Sequence, residues 1–371
     1  MGRLHDLHDR FGQSPWLDNL KRGWITSGEI ERRVERGVRG ITSNPSIFQK
    51  AIADSDDYTE QLADLIAGGE TVEDTYWDLV CADIGEALRL LRPVHDASGG
   101  ADGFVSVEVA PSLARDTDGT LAAARTLWER IDRPNLLVKV PATAEGIPAI
   151  GELVAEGISV NVTLIFSLPR YREVMEAYVS GLERAVAAGA TDLSGTSSVA
   201  SFFISRVDTE VDRRLGAIGT DEATALRGRA AVTQGQLAYL LARDVFSGPR
   251  WEALAARGAR PQRPLWASTS TKDPAYPDTL YVDSLIGPGT VNTLPEATLD
   301  AFEDHGTLAR TVDADPDGAR ATWQRLGELV DLDDVSRRLE DEGVAAFSKS
   351  FDELLAVLDT RAAEYRPGPP G

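Results

Sequence analysis

The sequence predicts an α/β protein, a closed (β/α)8 barrel of the TIM type with additional helices at its C-terminal end. Three observations carry this reading. Short β-rich runs alternate with long helical patterns from near the start to about residue 310, the pattern of parallel strands joined by helical crossovers. The chain has 371 residues, more than an ordinary domain but right for one barrel of about 250 residues with additions. Most of the runs end in polar or small groups, as strands do when their C-terminal ends line a barrel mouth.

In chain order the strand candidates are "SPWLDNL" (14–20), "VRGITSN" (38–44), "GFVSVEV" (103–109), "LLVKVPA" (136–142), "ISVNVTLIF" (158–166), "VASFFIS" (199–205), "RPLWAS" (263–268) and "TLYVDSLI" (279–286). Each is rich in β-branched or aromatic residues. Between them lie stretches with apolar residues recurring at three and four, at 71–91, 120–131, 148–156, 169–188 and 221–245, which predicts helices. After "LIGPGTVNTLP" come a helical pattern at 296–305, an acidic turn-rich connector at 313–318, and helical segments at 319–330 and 335–365. "ATWQRLGELV" and "FDELLAVLDTRAA" each show one apolar face that needs a partner surface, so they are expected to pack on the barrel rather than form a second domain. The expectation is a single domain over 1–371, with the barrel in 14–310 and the helical extension in 315–366. The terminal "RPGPPG" is expected to be disordered.

Composition narrows the function classes. Hydrophobic residues at 42% and charged residues at 26% are ordinary for a globular protein. With 59 acidic and 38 basic side chains the formal net charge is -21, which disfavours nucleic acid and anionic membranes as partners. A phosphorylated substrate would need a local basic pocket. The single cysteine, Cys81 in "DLVCADIGEAL", has no disulfide partner and reads as a small core residue on a helix, which fits a reducing compartment. No signal-like segment opens the chain and no apolar run approaches a membrane span, so a cytoplasmic location is expected. His5 and His8 lack further His or Cys at ligand spacing, and they read as a solvated amphipathic start rather than a metal site.

The residue that needs explaining is Lys139, in the middle of "LLVKVPATAEGIP". Flanked by Leu136, Leu137, Val138 and Val140, such a lysine either sends its ammonium to an edge or to a carboxylate, or sits where desolvation favours the neutral, nucleophilic amine. Asp18, Ser43, Asn44, Glu108, Asn161, Thr163, Ser201 and Ser268 fall at other strand ends, so they can converge with it on one mouth. Buried polar groups of this kind cost a few kcal/mol each unless hydrogen-bonded. Either a structural polar layer or a reaction centre accounts for them. An amine in a dry site condenses with a carbonyl to an imine, whose cationic nitrogen is an electron sink when a neighbouring carbon bond breaks. That chemistry needs carboxylates for proton transfer and amides or hydroxyls to hold sugar hydroxyls.

"GITSNPSIF" (40–48), "LLVKVPAT" (136–143) and "ISVNVTLIFS" (158–167) closely resemble three hallmark segments of the transaldolase family, in the family's order. With "SVEVAPSLARD", "VASFFISRVD" and "LWASTSTKDPAYPDTLYVDSLIGPGTVNTLP" the resemblance covers about residues 14–310 and is greatest to the longer bacterial branch. It implies a class I Schiff-base transaldolase of the non-oxidative pentose phosphate pathway, with no metal or cofactor. The enzyme would move a dihydroxyacetone unit from sedoheptulose 7-phosphate or fructose 6-phosphate to glyceraldehyde 3-phosphate or erythrose 4-phosphate. By the resemblance Lys139 forms the imine and Asp18 is the base on the C4 hydroxyl. Glu108 and Thr163 hold a water for proton relay, and Asn44, Asn161 and Ser201 orient the dihydroxyacetone hydroxyls.

Asn44 before Pro45 also reads as a helix N-cap. At the phosphate end the resemblance implies Arg206, at a strand-to-helix turn, with Ser268 as a second contact. Many relatives carry a further arginine where this chain has Ser270, so Lys272 is the substitute candidate for that charge. Two other readings stay open from the sequence: a related aldolase releasing free dihydroxyacetone, and a non-catalytic sugar-phosphate binding barrel in which Lys139 forms a salt bridge. Phe166 and Phe203 shape the pocket in any of these. The sequence leaves monomer and homodimer equally open.

Overall fold

A computed structural model describes residues 2–365. The described residues form eight parallel strands: β1 (Gln13–Leu17), β2 (Gly40–Ile41), β3 (Phe104–Glu108), β4 (Leu136–Pro141), β5 (Val160–Ile165), β6 (Ser198–Phe203), β7 (Arg263–Ala267) and β8 (Thr290–Leu294). Each strand pairs with its chain neighbour and β1 closes on β8, so the sheet is a closed barrel. Helices stand between the strands. Both faces of each strand are therefore covered, which is why β4 and β5 are buried along their whole length and read as near-continuous apolar runs.

The eighth strand is not where the sequence pattern puts it. Residues in "TLYVDSLI" form the short helix Leu280–Asp283, and β8 is "TVNTL" (Thr290–Leu294). The aromatic and β-branched composition misleads here, because Tyr281 and Val282 are buried by helix packing rather than by a sheet. The predicted helix at 221–245 is two, Asp221–Ala225 and Ala230–Val245, separated by Gly228 at φ +71°. A helix at Ser205–Ile218 precedes them. The acidic connector at 313–318 is shorter than expected, since Asp315 caps a helix that starts at Pro316 by accepting from the Gly318 N–H. "RPGPPG" (366–371) lies outside the described residues.

Inside the barrel, the end away from the C-terminal strand ends is closed by a polar hub. Asp102 accepts from Ser14 Oγ (2.7 Å), Trp16 Nε1 (3.2 Å), Arg39 Nε (2.8 Å) and Arg263 Nη2 (3.1 Å). Burial works to raise its pKa, but Arg263, Arg39 and Ser14 outweigh that and hold the carboxyl below its ordinary value. The Trp16 indole fills space that only a glycine opposite allows, since a Cβ on Gly40 would lie 2.4 Å from its Cδ2. That is a physical reason for the first residue of "GITSN".

Two C-terminal helices, Pro316–Leu329 and Leu332–Ala362, follow the helix Glu296–His305. The longer one runs against the helices Pro45–Ala53, Val72–Ala97 and Ser205–Ile218 and reaches β5, which places it over the C-terminal ends of the strands. It carries the expected apolar face, with Phe351 set edge-on to Tyr76 at 5.1 Å. Ser350 and Ser46 share a hydrogen bond of 2.7 Å, and Arg361 donates to the Ile52 carbonyl (2.9 Å) and Thr59 Oγ1 (2.7 Å). No helix among the described residues is long and apolar enough to cross a membrane.

The Asp102 hub yields a test of the fold. Asp102→Ala leaves two arginines unpaired at the barrel's closed end, and a loss of about 3–5 kcal/mol in unfolding free energy is expected in urea titrations. A loss below about 1 kcal/mol, typical of an exposed ion pair, would contradict the hub's structural weight.

Candidate active site

The parallel register lines up the polar residues. Glu108 on β3 stands beside Lys139 on β4, and Lys139 beside Asn161 on β5, so alternation sends all of them to the barrel interior. The ladder continues past the strands: Asp18 N–H donates to the Leu294 carbonyl (2.9 Å) and Thr42 N–H to that of Leu17 (2.9 Å). Residues that look like loop positions in sequence are thereby held as firmly as strand residues.

Lys139 is 4% exposed. Its Nζ lies 3.1 Å from Glu108 Oε2 and donates to the Ser43 carbonyl at 3.1 Å. Burial pushes the Glu108 carboxyl above its ordinary pKa, against the pull of Lys139 and with Asp18 adding repulsion. Asp18 accepts from Thr42 Oγ1 at 2.7 Å, and Thr42 in turn shares a 2.6 Å hydrogen bond with Thr293 Oγ1. Its carboxyl is also pushed up by burial, against Lys139, the Thr42 bond and Arg206. Two carboxyl groups biased toward the neutral form beside one buried amine make a set of proton carriers.

Asn161 Nδ2 donates to Ser106 Oγ (2.9 Å), and its Oδ1 accepts from Ser201 Oγ (2.7 Å). This fixes the amide's orientation, so a polar layer and a candidate site are the same residues. Thr163 Oγ1 is buried without a protein partner. It sits at a register shift between Val162 and Ile165, where Leu164 takes φ +59°. Such a bulge re-aims a side chain, and positive φ at a leucine stores strain of order 1–3 kcal/mol. Asn44 caps the helix Pro45–Ala53 by accepting from the Ile47 N–H (3.0 Å), which commits its oxygen and leaves its amide N–H groups to the cavity it lines.

That cavity measures about 150 Å³ and is walled by Asp18, Asn44, Lys139, Ser201, Arg206, Ser268, Ser270 and Lys272 with Phe203 and Phe347. Glu108, Asn161 and Thr163 do not reach its wall and stand in the layer beside it. A larger cavity of about 460 Å³ adjoins it, sharing Asp18 and Asn44 and carrying Lys21, Arg22 and Lys50. Arg206 makes no ion pair among the described residues. Its guanidinium rests 5.1 Å from the Phe203 ring centre and 6.0 Å from that of Phe347, and burial lowers its pKa. Lys272 Nζ donates to Ser270 Oγ at 2.7 Å. Its pKa is lowered by partial desolvation and then by Arg206 although the residue is exposed overall, and the two cations line the same cavity. Ser268 takes φ +55° and shares a hydrogen bond with Ser205 Oγ at 2.9 Å.

The sequence reading missed Thr42, Thr293, the Ser43 carbonyl and Phe347. Thr42 lies within "GITSN" and was reachable from it; Phe347 has no local signal. Among the described residues no group of three or more His, Cys, Asp or Glu is placed to hold a metal. His5 Nε2 lies 3.0 Å from the Glu35 carbonyl and His8 Nδ1 2.8 Å from Asp9, on the helix Arg3–Phe11. Cys81 is half-buried on the helix Val72–Ala97.

Against known proteins, residues 15–358 match the family described as Transaldolase/Fructose-6-phosphate aldolase. The chain is 56% identical over 365 residues to a protein named Transaldolase from Thermobifida fusca (strain YX), covering 98% of this chain and 99% of that one. It is 55% identical over 350 residues to a Transaldolase from Parafrankia sp. (strain EAN1pec), with 94% and 95% covered. Transaldolase 1 of Streptomyces coelicolor (strain ATCC BAA-471 / A3(2) / M145) is 54% identical over 362 residues, with 96% and 94% covered.

The loop bearing Ser268 and Lys272 is tied to the helix bearing Arg206. Asp208 accepts from Tyr281 Oη (2.8 Å) and the Ala231 N–H (2.7 Å); Asp212 accepts from Tyr276 Oη (2.6 Å) and the Gly228 N–H (2.9 Å). Burial pushes the Asp208 carboxyl up to about 6. The folded protein thus binds this proton more tightly than the unfolded chain, and stability from this group falls as pH rises through that value. Asp208→Asn keeps an acceptor for Ala231 and a donor for Tyr281 without the charge. Its melting temperature relative to wild type is expected to rise between about pH 4 and about pH 7 and then level off; a flat difference would contradict an ionising Asp208.

Proposed function

The chain belongs to the transaldolase/fructose-6-phosphate aldolase family, and from that premise we propose that it transfers a dihydroxyacetone unit between sugar phosphates through a Schiff base on Lys139. The observation that carries the reading is the buried Lys139, with Glu108 3.1 Å from its nitrogen and Asp18 on the wall of the same cavity.

In this reading Glu108 takes the ammonium proton and Lys139 attacks the C2 carbonyl of a ketose phosphate. The carbinolamine loses water as Glu108, through a water also held by the unpartnered Thr163 hydroxyl, returns the proton. Asp18 removes the proton of the C4 hydroxyl, the C3–C4 bond breaks, and the electrons enter the iminium. The aldose phosphate leaves. Asn44, Asn161 and Ser201 hold the remaining hydroxyls, since amides donate and accept at once. An acceptor aldehyde then takes the enamine carbon, with Asp18 returning the proton to its oxygen, and one water hydrolyses the product iminium to free the Lys139 amine.

The phosphate falls to Arg206 and Lys272, cations without ion-pair partners in a chain of net charge -21. Lys272, hydrogen-bonded to Ser270, supplies the second charge where relatives carry arginine. Fructose 6-phosphate or sedoheptulose 7-phosphate is the donor, and erythrose 4-phosphate or glyceraldehyde 3-phosphate the acceptor, placing the reaction in the non-oxidative pentose phosphate pathway.

Assays with fructose 6-phosphate, with and without erythrose 4-phosphate, test this. Sedoheptulose 7-phosphate should form with acceptor, and glyceraldehyde 3-phosphate release should be far slower without it; equal rates would contradict a transferase. In the same assays Arg206→Ala and Lys272→Ala should each raise KM for the phosphorylated ketose by about tenfold or more, as expected for lost charge-assisted hydrogen bonds. An unchanged KM would remove that residue from the phosphate site.

A further inference from the structure

The C-terminal helix Leu332–Ala362 puts an aromatic ring into the site. Phe347 is buried, lines the cavity, and has its ring centre 5.9 Å from Lys139 Nζ and 6.0 Å from Arg206 Cζ. Resting on the Schiff-base reading above, we propose that Phe347 is a specificity-determining residue that keeps water from the Lys139-bound enamine, so that an aldehyde captures it.

The helix is built to hold the ring there. One turn before it, Gly343 allows close approach to the barrel mouth: a Cβ would lie 2.9 Å from Leu164 Cδ2 and 3.6 Å from Arg206 Nη1. Ion pairs fix the helix before the ring, Arg214 to Asp334 at 2.6 Å and Arg115 to Asp341 at 2.6 Å. Ser350 is bonded to Ser46 just after it. Phe347 therefore meets the cavity as a positioned wall, and with Phe203, Ala267 and Pro295 it makes up the walls whose side chains offer no hydrogen-bonding group.

The chemistry makes that face matter. After C3–C4 cleavage the enamine carbon has two fates. It forms a bond to the carbonyl carbon of an acceptor, whose oxygen takes a proton. Otherwise the carbon itself takes a proton from a water in the site, and the proton held by Asp18 replaces it on the hydroxide left behind. On either route the resulting iminium then adds one water at C2 and expels the Lys139 amine, with no oxidant or reductant, so the routes part at the water that protonates the carbon. Asp18, Ser201 and Thr42 already supply hydrogen-bonding groups on the other walls, so water is kept out where Phe347 stands. An aromatic face near the cationic nitrogen also favours the iminium, which cleavage requires.

The test is the ratio of free dihydroxyacetone to sedoheptulose 7-phosphate formed from fructose 6-phosphate and erythrose 4-phosphate. This ratio does not depend on how much of the enzyme is folded, so a merely structural role leaves it unmoved. Phe347→Ala is expected to raise it about tenfold and Phe347→Leu, which keeps apolar bulk, about threefold. Reductive trapping of the imine is run on each protein. Should Phe347→Ala not fold, Phe347→Leu decides. A ratio within about twofold of wild type in the folded variants, with the imine trapped, would overturn the proposal and leave the Schiff-base reading standing. No trapped imine in wild type would overturn both.

Discussion

The structure depends on keeping an amine and a carboxyl group together in the dry interior of a barrel. Lys139 and Glu108, 3.1 Å apart, each forgo hydration, a penalty of several kcal/mol per ion that mutual attraction returns only in part. Parallel register makes the arrangement possible, because β3, β4 and β5 bring Glu108, Lys139 and Asn161 side by side. The Ser43 carbonyl takes a hydrogen bond from the ammonium, which ties β2 to the same point. Stability comes from elsewhere: the apolar layer between strands and helices, and the Asp102 hub at the opposite end. The barrel's two ends thus divide the work, as is general for this architecture.

Strain follows the same division. Of the three described non-glycine residues with positive φ, Asp132 ends the helix Thr117–Ile131, where an aspartate tolerates that conformation, while Leu164 stands beside Thr163 and Ser268 on the cavity wall. Arg206 and Lys272 line one cavity without a direct ion pair among the described residues, with Glu342 and Asp18 acting on Arg206 only at a distance. Repulsion between them is a standing cost that an anion between them removes. The acidic remainder of the surface then leaves this cavity as a local cationic exception.

Much of this was legible in the sequence, for physical reasons. Lys139, Asn161 and Ser201 interrupt apolar strands, and an interruption that burial penalises stands out. Seven of the eight strand runs hold because parallel strands covered on both faces read as apolar blocks. "TLYVDSLI" failed because its buried tyrosine and valine serve a helix, while "TVNTL" hid behind "GPG" with polar residues on both of its faces. Phe347 was not legible at all. It comes from a helix far along the chain, and its place in the site is set by Gly343 and by ion pairs whose partners lie in other elements. Nor can residue types reveal the Ser43 carbonyl, which is backbone, or the tyrosines that tie the loop of Ser268 and Lys272 to the helix of Arg206 through Asp208 and Asp212.

The central claim is that the amine of Lys139 becomes covalently bonded to the donor sugar. Its most direct test is peptide mass spectrometry after borohydride reduction in the presence and absence of fructose 6-phosphate. A stable dihydroxyacetone-derived adduct is expected on the peptide containing Lys139, present only with the sugar. A protein shown to bind fructose 6-phosphate but yielding no adduct at Lys139 would contradict it, and would leave the buried pair as a salt bridge in a sugar-phosphate binding barrel.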